Sequence, residues 1–553
     1  MSERSREQNG GEGIGRERGP AREPRIPPLR EDLTIKPEGK ILVLEDPVQR
    51  KVIRLGPEGA SLVSALREGA RTPGALRAAC GEIAPSRTQR HLAMFVHEHL
   101  LQTGRWRDQA PLFREAHAKP YPAPQELPVR LLPGLHHECV ACGSSCSAVD
   151  VGPVGDATVE AVDQHSLWRE VPGAKKTGDV FLRVRPREGP MRLMARRRDS
   201  CVMLSRKNRC RIHEVAGMTA KPPVCRQFPL TFTRGRDAVY VSLSMECRSY
   251  LRAREAGAAM DEREAEDRAR ERIATGALLT DLLDPVPLAP GLVLPQDEYL
   301  QLERSLLEAI DAAPAEEDPV RTWARCAESV ARMVQERSLV YQEEEQFLES
   351  GRWGRETAEG EADPRAALEN LLQALADVSL IKERRTLESG RYLLSERASF
   401  FAKCALVLAG EVPMTRPYWC DGAGPGVLRD TLRAEIWGKD AFRWGDFLWI
   451  VSRLGLTLLF ARAGAELRAF QAARLPMYGQ DAVDAVVGAT FMMRDKGVLN
   501  VLQGMSGTLR WSLGRAAGFV THLDEGSPPP RPVWAGSDRL GPRKSKAKGT
   551  GEG

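Results

Sequence analysis

Seven of the eleven cysteines in this chain fall between Cys139 and Cys247. They read Cys139-x2-Cys142-Gly143-x2-Cys146, then Cys201, then Cys210-Arg-Ile-His213, then Lys221-Pro-Pro-Val-Cys225-Arg226-Gln-Phe228-Pro229, and last Cys247. Thiolates are soft ligands for zinc and iron–sulfur centres, and sulfurs two or three residues apart let one turn of backbone aim several of them at one point. Gly143 allows a tight bend directly after the second sulfur. The competing reading is a disulfide framework, which belongs to small secreted domains and suits poorly a chain of 553 residues that opens without an apolar leader. The expectation is therefore a metal site. Cys139, Cys142, Cys146 and Cys225 form a first set of four thiolates, enough for tetrahedral zinc or a cluster, with Cys201, Cys210 and Cys247 as further ligands or as ligands of a second metal.

Three other groups lie near these sulfurs. Arg196-Arg197-Arg198 precede Cys201 and could offset the charge of a polythiolate, hold an anionic substrate, or simply form a solvated loop. His136, His137 and His213 sit close in sequence to Cys139 and Cys210 and carry imidazoles able to bind zinc, against the plainer alternative of packing or surface positions. The remaining cysteines are scattered. Cys404 lies in an apolar run and reads as a small hydrophobe, while Cys420 reads as a loop thiol. No phosphate-binding loop, no GxGxxG after a strand, no HExxH and no GxSxG occurs.

The ligands need loops held in place, and the local pattern supplies them. A short helix is expected around Ala157–Val162, a hairpin from Val180–Val184 to Met191–Met194 across Glu188-Gly189, and a second hairpin across Arg234-Gly235-Arg236-Asp237, whose outgoing arm alternates Val239, Val241, Leu243 and Met245.

At these residues the sequence resembles the YkgJ-type cysteine-cluster proteins, a zinc- or iron-chelating family with the pattern CxxCGxCC, a later Cys before an apolar pair, C-x-I-Y/H-E, and P-x-x-CR-x-FP. Cys139, Cys142, Cys146, Cys201, Cys210 and Cys225 fall on that pattern, and Cys225-Arg226-x-Phe228-Pro229 is its most specific part. Ser145-Cys146 stands where the family has paired cysteines. The longer interval from Cys210 to Cys225 also resembles the flagellin lysine N-methylase branch. That likeness implies an iron–sulfur centre and methyl transfer from S-adenosylmethionine to protein lysine. The CxxCxxxC order is the reverse of the CxxxCxxC of radical enzymes using that cofactor, and no glycine-rich loop for it is present. Three readings stay open: a metalloprotein, a lysine methylase, and a binding module with a structural metal.

The rest of the chain frames this stretch. Composition is globular, with 42% hydrophobic and 28% charged residues. The net charge is +5, and six Lys/Arg against Asp538 and Glu552 after Ser527 place most of it in the tail, so the body is close to neutral and offers no broad nucleic-acid face. The most apolar run, Phe447–Ala461, contains Arg453 and reads as a buried helix, so neither a membrane span nor export is expected and a reducing cytoplasm suits the thiols.

The expected architecture is α+β and multidomain: a disordered tail at 1–31, a small winged-helix-like domain at 32–108, the cysteine domain at 120–250 after a proline-rich linker, a charged helix and linker at 251–296, an α-helical domain at 297–525, and a disordered basic tail at 526–553. In the first domain, Ile41, Val43 and Val52-Ile53 flank an Asp46-Pro47 turn. Helices follow from Pro57, from Thr72-Pro73, and from a Ser86-x-x-Gln89 capping box to Gly104. This hairpin-plus-helices order resembles the PqqD-like domains, which implies a β edge that takes a peptide or protein partner as an added strand. Further helices are expected at Arg252–Arg272, Tyr299–Ala313, Val320–Glu336, Ala366–Val378, Tyr392–Ala409, Trp444–Arg468 and Ala482–Gln503, with Pro285–Pro295 as a linker.

Overall fold

The computed structural model describes residues 25–341 apart from 82, 135–141, 144–145, 147–150, 185–189, 198–199, 254–261 and 316. It also describes 374–375, 377, 381, 403–404, 419, 423–439, 442, 445–474, 477–493 and 496–504. The architecture is mixed α and β, with small sheets and a helical C-terminal part. Two compact units emerge, one of Met1–Ala110 with Tyr341–Arg355, the other of Pro111–Val340 with Glu356–Gly553.

In the first unit, β1 (Thr34–Glu38), β2 (Ile41–Asp46) and β3 (Lys51–Leu55) form an antiparallel meander in the order β1-β2-β3. The turn from β2 to β3 is fixed by Asp46, whose carboxylate accepts the backbone N–H groups of Val48 and Gln49, each at 2.9 Å. Three helices follow: α1 (Pro57–Arg67), α2 (Pro73–Ala79), capped by Thr72 accepting from Ala75 N, and α3 (Pro85–His97). Each has proline in its first turn, where the missing N–H costs nothing and the fixed φ favours helix. The expected capping box gives way to this effect: Pro85 sets the start, Ala84 is the N-cap, and Ser86 lies inside the first turn. The third helix ends at His97, with His99 at φ 54°, and Gly104 opens α4 (Gly104–Ala118) rather than closing α3.

Leu44, Leu62, Leu66, Leu76, Phe95 and Leu100 form the core of this unit, joined by Ile26 and Leu29. Ile26, Leu29 and Arg30 are thus buried, in contrast to the tail expected there, and Arg30 runs inward to meet Asp46 with two hydrogen bonds of 2.6 and 2.9 Å.

The second unit carries the cysteines. β4 (Val129–Leu131), α5 (Asp156–Gln164), the hairpin β5 (Phe181–Val184) and β6 (Met191–Met194), and the tight pair β7 (Arg196–Arg197) and β8 (Ser200–Cys201) lead into α6 (Arg211–Ala216) and α7 (Pro223–Gln227). The second expected hairpin is also present, as β9 (Leu230–Arg234) and β10 (Val239–Leu243) in register Val239↔Arg234 to Leu243↔Leu230. After α8 (Arg248–Ala253) and the charged α9 (Glu262–Ala274), β11 (Leu279–Asp281) completes a four-stranded sheet in the order β11-β9-β10-β4. The stretch 285–295 is not a linker. It forms β12 (Val286–Ala289) and β13 (Leu292–Leu294), with Val286, Leu288, Leu292 and Leu294 buried.

The helical part comprises α10 (Gln296–Asp311), α11 (Pro319–Leu339), α12 (Ala423–Gly438), α13 (Phe447–Gln471), α14 (Gly479–Met493) and α15 (Lys496–Gly504). The periodicity from Ala482 to Gln503 therefore resolves into two helices. Most of the helices expected at Ala366–Val378 and Tyr392–Ala409 lies outside the described residues. α13 is apolar and long enough to cross a membrane, yet its most apolar window is wholly buried inside the protein. Trp323 of α11 packs against it, donating from Nε1 to Val451 O at 2.8 Å.

The C-terminus of α12 docks on the sheet. Strand hydroxyls reach its last turn: Ser242 donates to Ala434 O at 2.9 Å, and Thr233 donates at 2.7 Å to Gly438 O, an end carbonyl with no helical partner.

Candidate metal centre

Short paired segments bring Cys201 and Cys210 together. Cys201 ends β8, and after it the chain makes a tight reversal in which Ser205 N donates to Arg209 O and Leu204 bridges to Cys210. Asn208, at φ 58°, takes the left-handed conformation that closes the loop. Gly143 packs on this loop: a Cβ there would lie 3.0 Å from Asn208 Oδ1, and its φ of 67° suits glycine. That contact seats Gly143, next to Cys142, on the Cys201–Cys210 turn. Pro222 and Pro223 start α7 and present Cys225 within its first turns.

Cys146, Cys201, Cys210 and Cys225 share one apolar cluster with Val154, Val162, Leu167, Met203 and Ile212. Burial pushes the Cys201 thiol up to about 12; Cys146 and Cys210 push the same way, while Met203 N–H and Arg196 favour the thiolate. Cys225 is likewise pushed up to about 12 by burial, with Cys146, Cys201 and Cys210 adding to the rise and Lys221 opposing it. Four sulfurs from three separate segments thus feel one another. Cys201 and Cys225 are therefore reluctant to ionise alone, and a bound cation is what makes several thiolates tolerable in one place.

Cys247 stands in a second location. It precedes α8, is 5% exposed, and is held up to about 11 by burial, while its sulfur accepts hydrogen bonds from the backbone N–H of Tyr250 and Ser249 and from the Ser249 side chain. The cysteine whose charge it feels is Cys142. The structure therefore groups the cysteines differently from their spacing. Cys201 and Cys210 join Cys146 and Cys225, while Cys247 lies outside that apolar cluster. Cys139, His136, His137 and Cys420 lie outside the described residues. His213 is exposed on α6, whereas Ile212 beside it enters the core.

Among the described residues, no three His, Cys, Asp or Glu side chains are arranged as a ready metal-binding set. The four thiols share a packed cluster without the geometry of a loaded site. Their chemistry nonetheless fits a soft metal: all sulfur, with Cys201 buried and the other three half-buried, carried on short elements and the turns between them.

A separate polar cluster escaped the sequence reading. Lys439, at φ 54° just past α12, is 2% exposed and places Nζ 2.8 Å from Glu303 Oε1, 2.9 Å from Trp437 O and 3.5 Å from the centre of the Tyr240 ring. Tyr299 donates to the other Glu303 oxygen at 2.8 Å. Burial raises the Glu303 carboxyl and lowers the Lys439 ammonium, each opposed by the attraction of its partner. No local pattern signals this pair, because the two residues come from helices far apart in sequence.

No protein-family model matches this chain, and neither a curated protein nor a solved structure matches it.

Proposed function

We propose that the chain is a metal-binding cysteine-cluster protein in which Cys146, Cys201, Cys210 and Cys225 hold zinc or an iron–sulfur cluster. The observation that carries this reading is the convergence of those four thiols in one apolar cluster. When bound, the metal would supply either a structural crosslink or a redox and Lewis-acid centre, and the protein's part is to deliver four sulfurs from three segments.

The test is anaerobic purification of the full chain, with metal and sulfide content and the visible spectrum measured together for the wild type and Cys210→Ser. One zinc per chain without a visible band supports a structural centre. Iron with matching sulfide and a brown colour supports a cluster, and makes lysine methylation with S-adenosylmethionine the activity to assay. A wild-type protein that binds neither metal overturns the proposal.

A second reading concerns the first unit and rests on β3. Among the described residues this strand pairs only with β2, and it carries Val52 at 52% exposure on an open rim. An extended peptide or protein segment could add there as a fourth strand. Titration with peptides, followed by amide protection at Lys51–Leu55, tests it.

A further inference from the structure

The near-neutral charge of the body is an average over one strongly basic stretch. From Arg169 to Arg226 the sequence holds sixteen Lys and Arg against five Asp and Glu, a net of +11 in a chain whose total is +5. Like charges at this density repel one another in the compact state, and nearby carboxylates relieve the repulsion where they are in reach. Some of these cations are matched in that way: Arg192 is held by Asp156 at 2.6 Å, and Arg211 by Glu170 at 3.1 Å. The charged α9 shows the ordinary arrangement of a solvated face, with Arg268 and Arg270 each bridged to a glutamate one turn earlier.

The loop from Ser205 to Arg209 is different. Ser205 N–H donates to Arg209 O and Asn208 N–H to Ser205 O, so backbone bonds fix its shape and its long side chains are left over. Arg206, Lys207 and Arg209 are all exposed on it, and among the described residues no carboxylate pairs with any of the three. The surface beside the loop is also cationic. Arg211 follows it at the start of α6 and reaches Glu170 O at 3.2 Å, while Arg197, exposed, reaches Pro172 O at 3.3 Å, so both lie against one short segment.

Apolar side chains continue this surface. Val215, one helical turn after Arg211 on α6, is 49% exposed, and Met218, just past that helix, is 40% exposed. Nucleic acid fits such a face poorly. The rings of Trp168 and Phe181 pack against the apolar cluster instead of standing out as stacking platforms. The six residues of α6 are too few to lie along a groove, and the exposed Glu214 beside Val215 would repel phosphates.

We infer that this face, centred on Arg206, Lys207 and Arg209 with Val215 and Met218 beside them, docks a segment of a partner protein that is both acidic and aliphatic. The partner's carboxylates supply the counter-charges that the fold does not, and its aliphatic side chains cover Val215 and Met218. The inference holds whether or not the neighbouring thiols carry metal.

The test uses fluorescence anisotropy on the full-length reduced protein with three labelled probes of equal length: a peptide mixing Glu and Leu, an all-Glu peptide, and oligo-dT. The Glu/Leu peptide should bind most tightly, and added salt should weaken it. Arg206→Gln, Lys207→Gln and Arg209→Gln together should weaken it about tenfold, the scale of three exposed charge pairs. The same change at Lys40, Arg90 and Arg304, exposed cations elsewhere, should have no such effect. Arg206→Lys with Arg209→Lys should keep the affinity, which separates charge from loop shape. Val215→Ser with Met218→Ser should weaken the Glu/Leu peptide about threefold and leave the all-Glu peptide unchanged. No binding of the Glu/Leu peptide, or equal losses in the two triple variants, overturns the inference. Tighter binding of oligo-dT, lost in the loop variant, overturns the protein partner and gives the face to nucleic acid. An all-Glu peptide that binds as tightly as the mixed one overturns the apolar part. Should the triple loop variant fail to fold, Lys207→Glu alone, expected to weaken the Glu/Leu peptide about threefold, decides on the same criteria.

Discussion

The ammonium of Lys439 and the carboxylate of Glu303 meet at 2.8 Å with both side chains almost fully buried, and Tyr299 completes the carboxylate's hydrogen bonding. Removing one partner leaves the other charge stranded, which costs more than the pair itself contributes. Lys439→Met should therefore destabilise the second unit by about 3–5 kcal/mol, and adding Glu303→Gln should recover much of that loss. Denaturant unfolding of the two single variants and the double variant checks this. Equal destabilisation in all three would show that packing, and not charge, is at stake.

The division of the cysteines makes a second prediction. Cys201→Ser should abolish the visible spectrum of Co2+ bound to the reduced full chain, whereas Cys247→Ser should leave it in place, since Cys247 lies outside the apolar cluster that the other four share. Loss of the spectrum in both variants would join Cys247 to the same site.

His99 gives a pH dependence. Burial first, then the charges of Lys51, Arg105 and Arg30, lower its imidazole to about 3, so it is neutral in the folded unit and takes up a proton on unfolding below its ordinary value of 6.5. A lowered value means stability that is complete above pH 6.5 and lost as the pH falls toward 3. The loss reaches about 2 kcal/mol at pH 5. Amide exchange across the first unit, corrected for intrinsic rates, should rise from pH 7 to pH 5 in the wild type and change less in His99→Gln.

Gly455 offers a packing test. A Cβ on this residue of α13 would lie 1.9 Å from Trp323 Cζ2, inside a ring that is itself fully buried. Alanine normally improves a helix interior by about 1 kcal/mol over glycine. Here the clash decides the sign, and Gly455→Ala should lower stability by about 1–3 kcal/mol, measured by thermal unfolding.

What could be read from the sequence follows from how local each signal is. The hairpins at 181–194 and 230–243 were legible because alternation and turn residues lie within a few positions of each other. β1 was not, because Thr34–Glu38 is mostly exposed and contains Lys36 and Pro37, so pairing with β2 rather than burial makes it a strand. α12 begins Ala-Gly-Pro-Gly, which reads as a loop, and packing against the sheet and neighbouring helices overrides that propensity. The stretch 285–295 misled through its prolines, although Pro285 and Pro295 lie just outside the paired residues and only Pro287 falls within them. For the site, composition found all seven cysteines, but spacing favoured Cys142 over Cys201 and Cys210. Grouping depends on the β7–β8 ribbon and on the left-handed turn at Asn208, neither of which is written in the spacing of the sulfurs.

The sheet of β11-β9-β10-β4 has a consequence for biosynthesis. Its two outer strands, β4 and β11, both run parallel to their neighbours and bracket the segment that carries the described cysteines of the candidate centre. A ribosome must make Cys142 through Cys247 before Leu279–Asp281 exists to finish the sheet. At ~5–20 residues per second, the thiols spend seconds in a partly assembled frame. Metal delivery during that interval meets the sulfurs before the frame closes around them, and delivery afterwards must work through a finished fold.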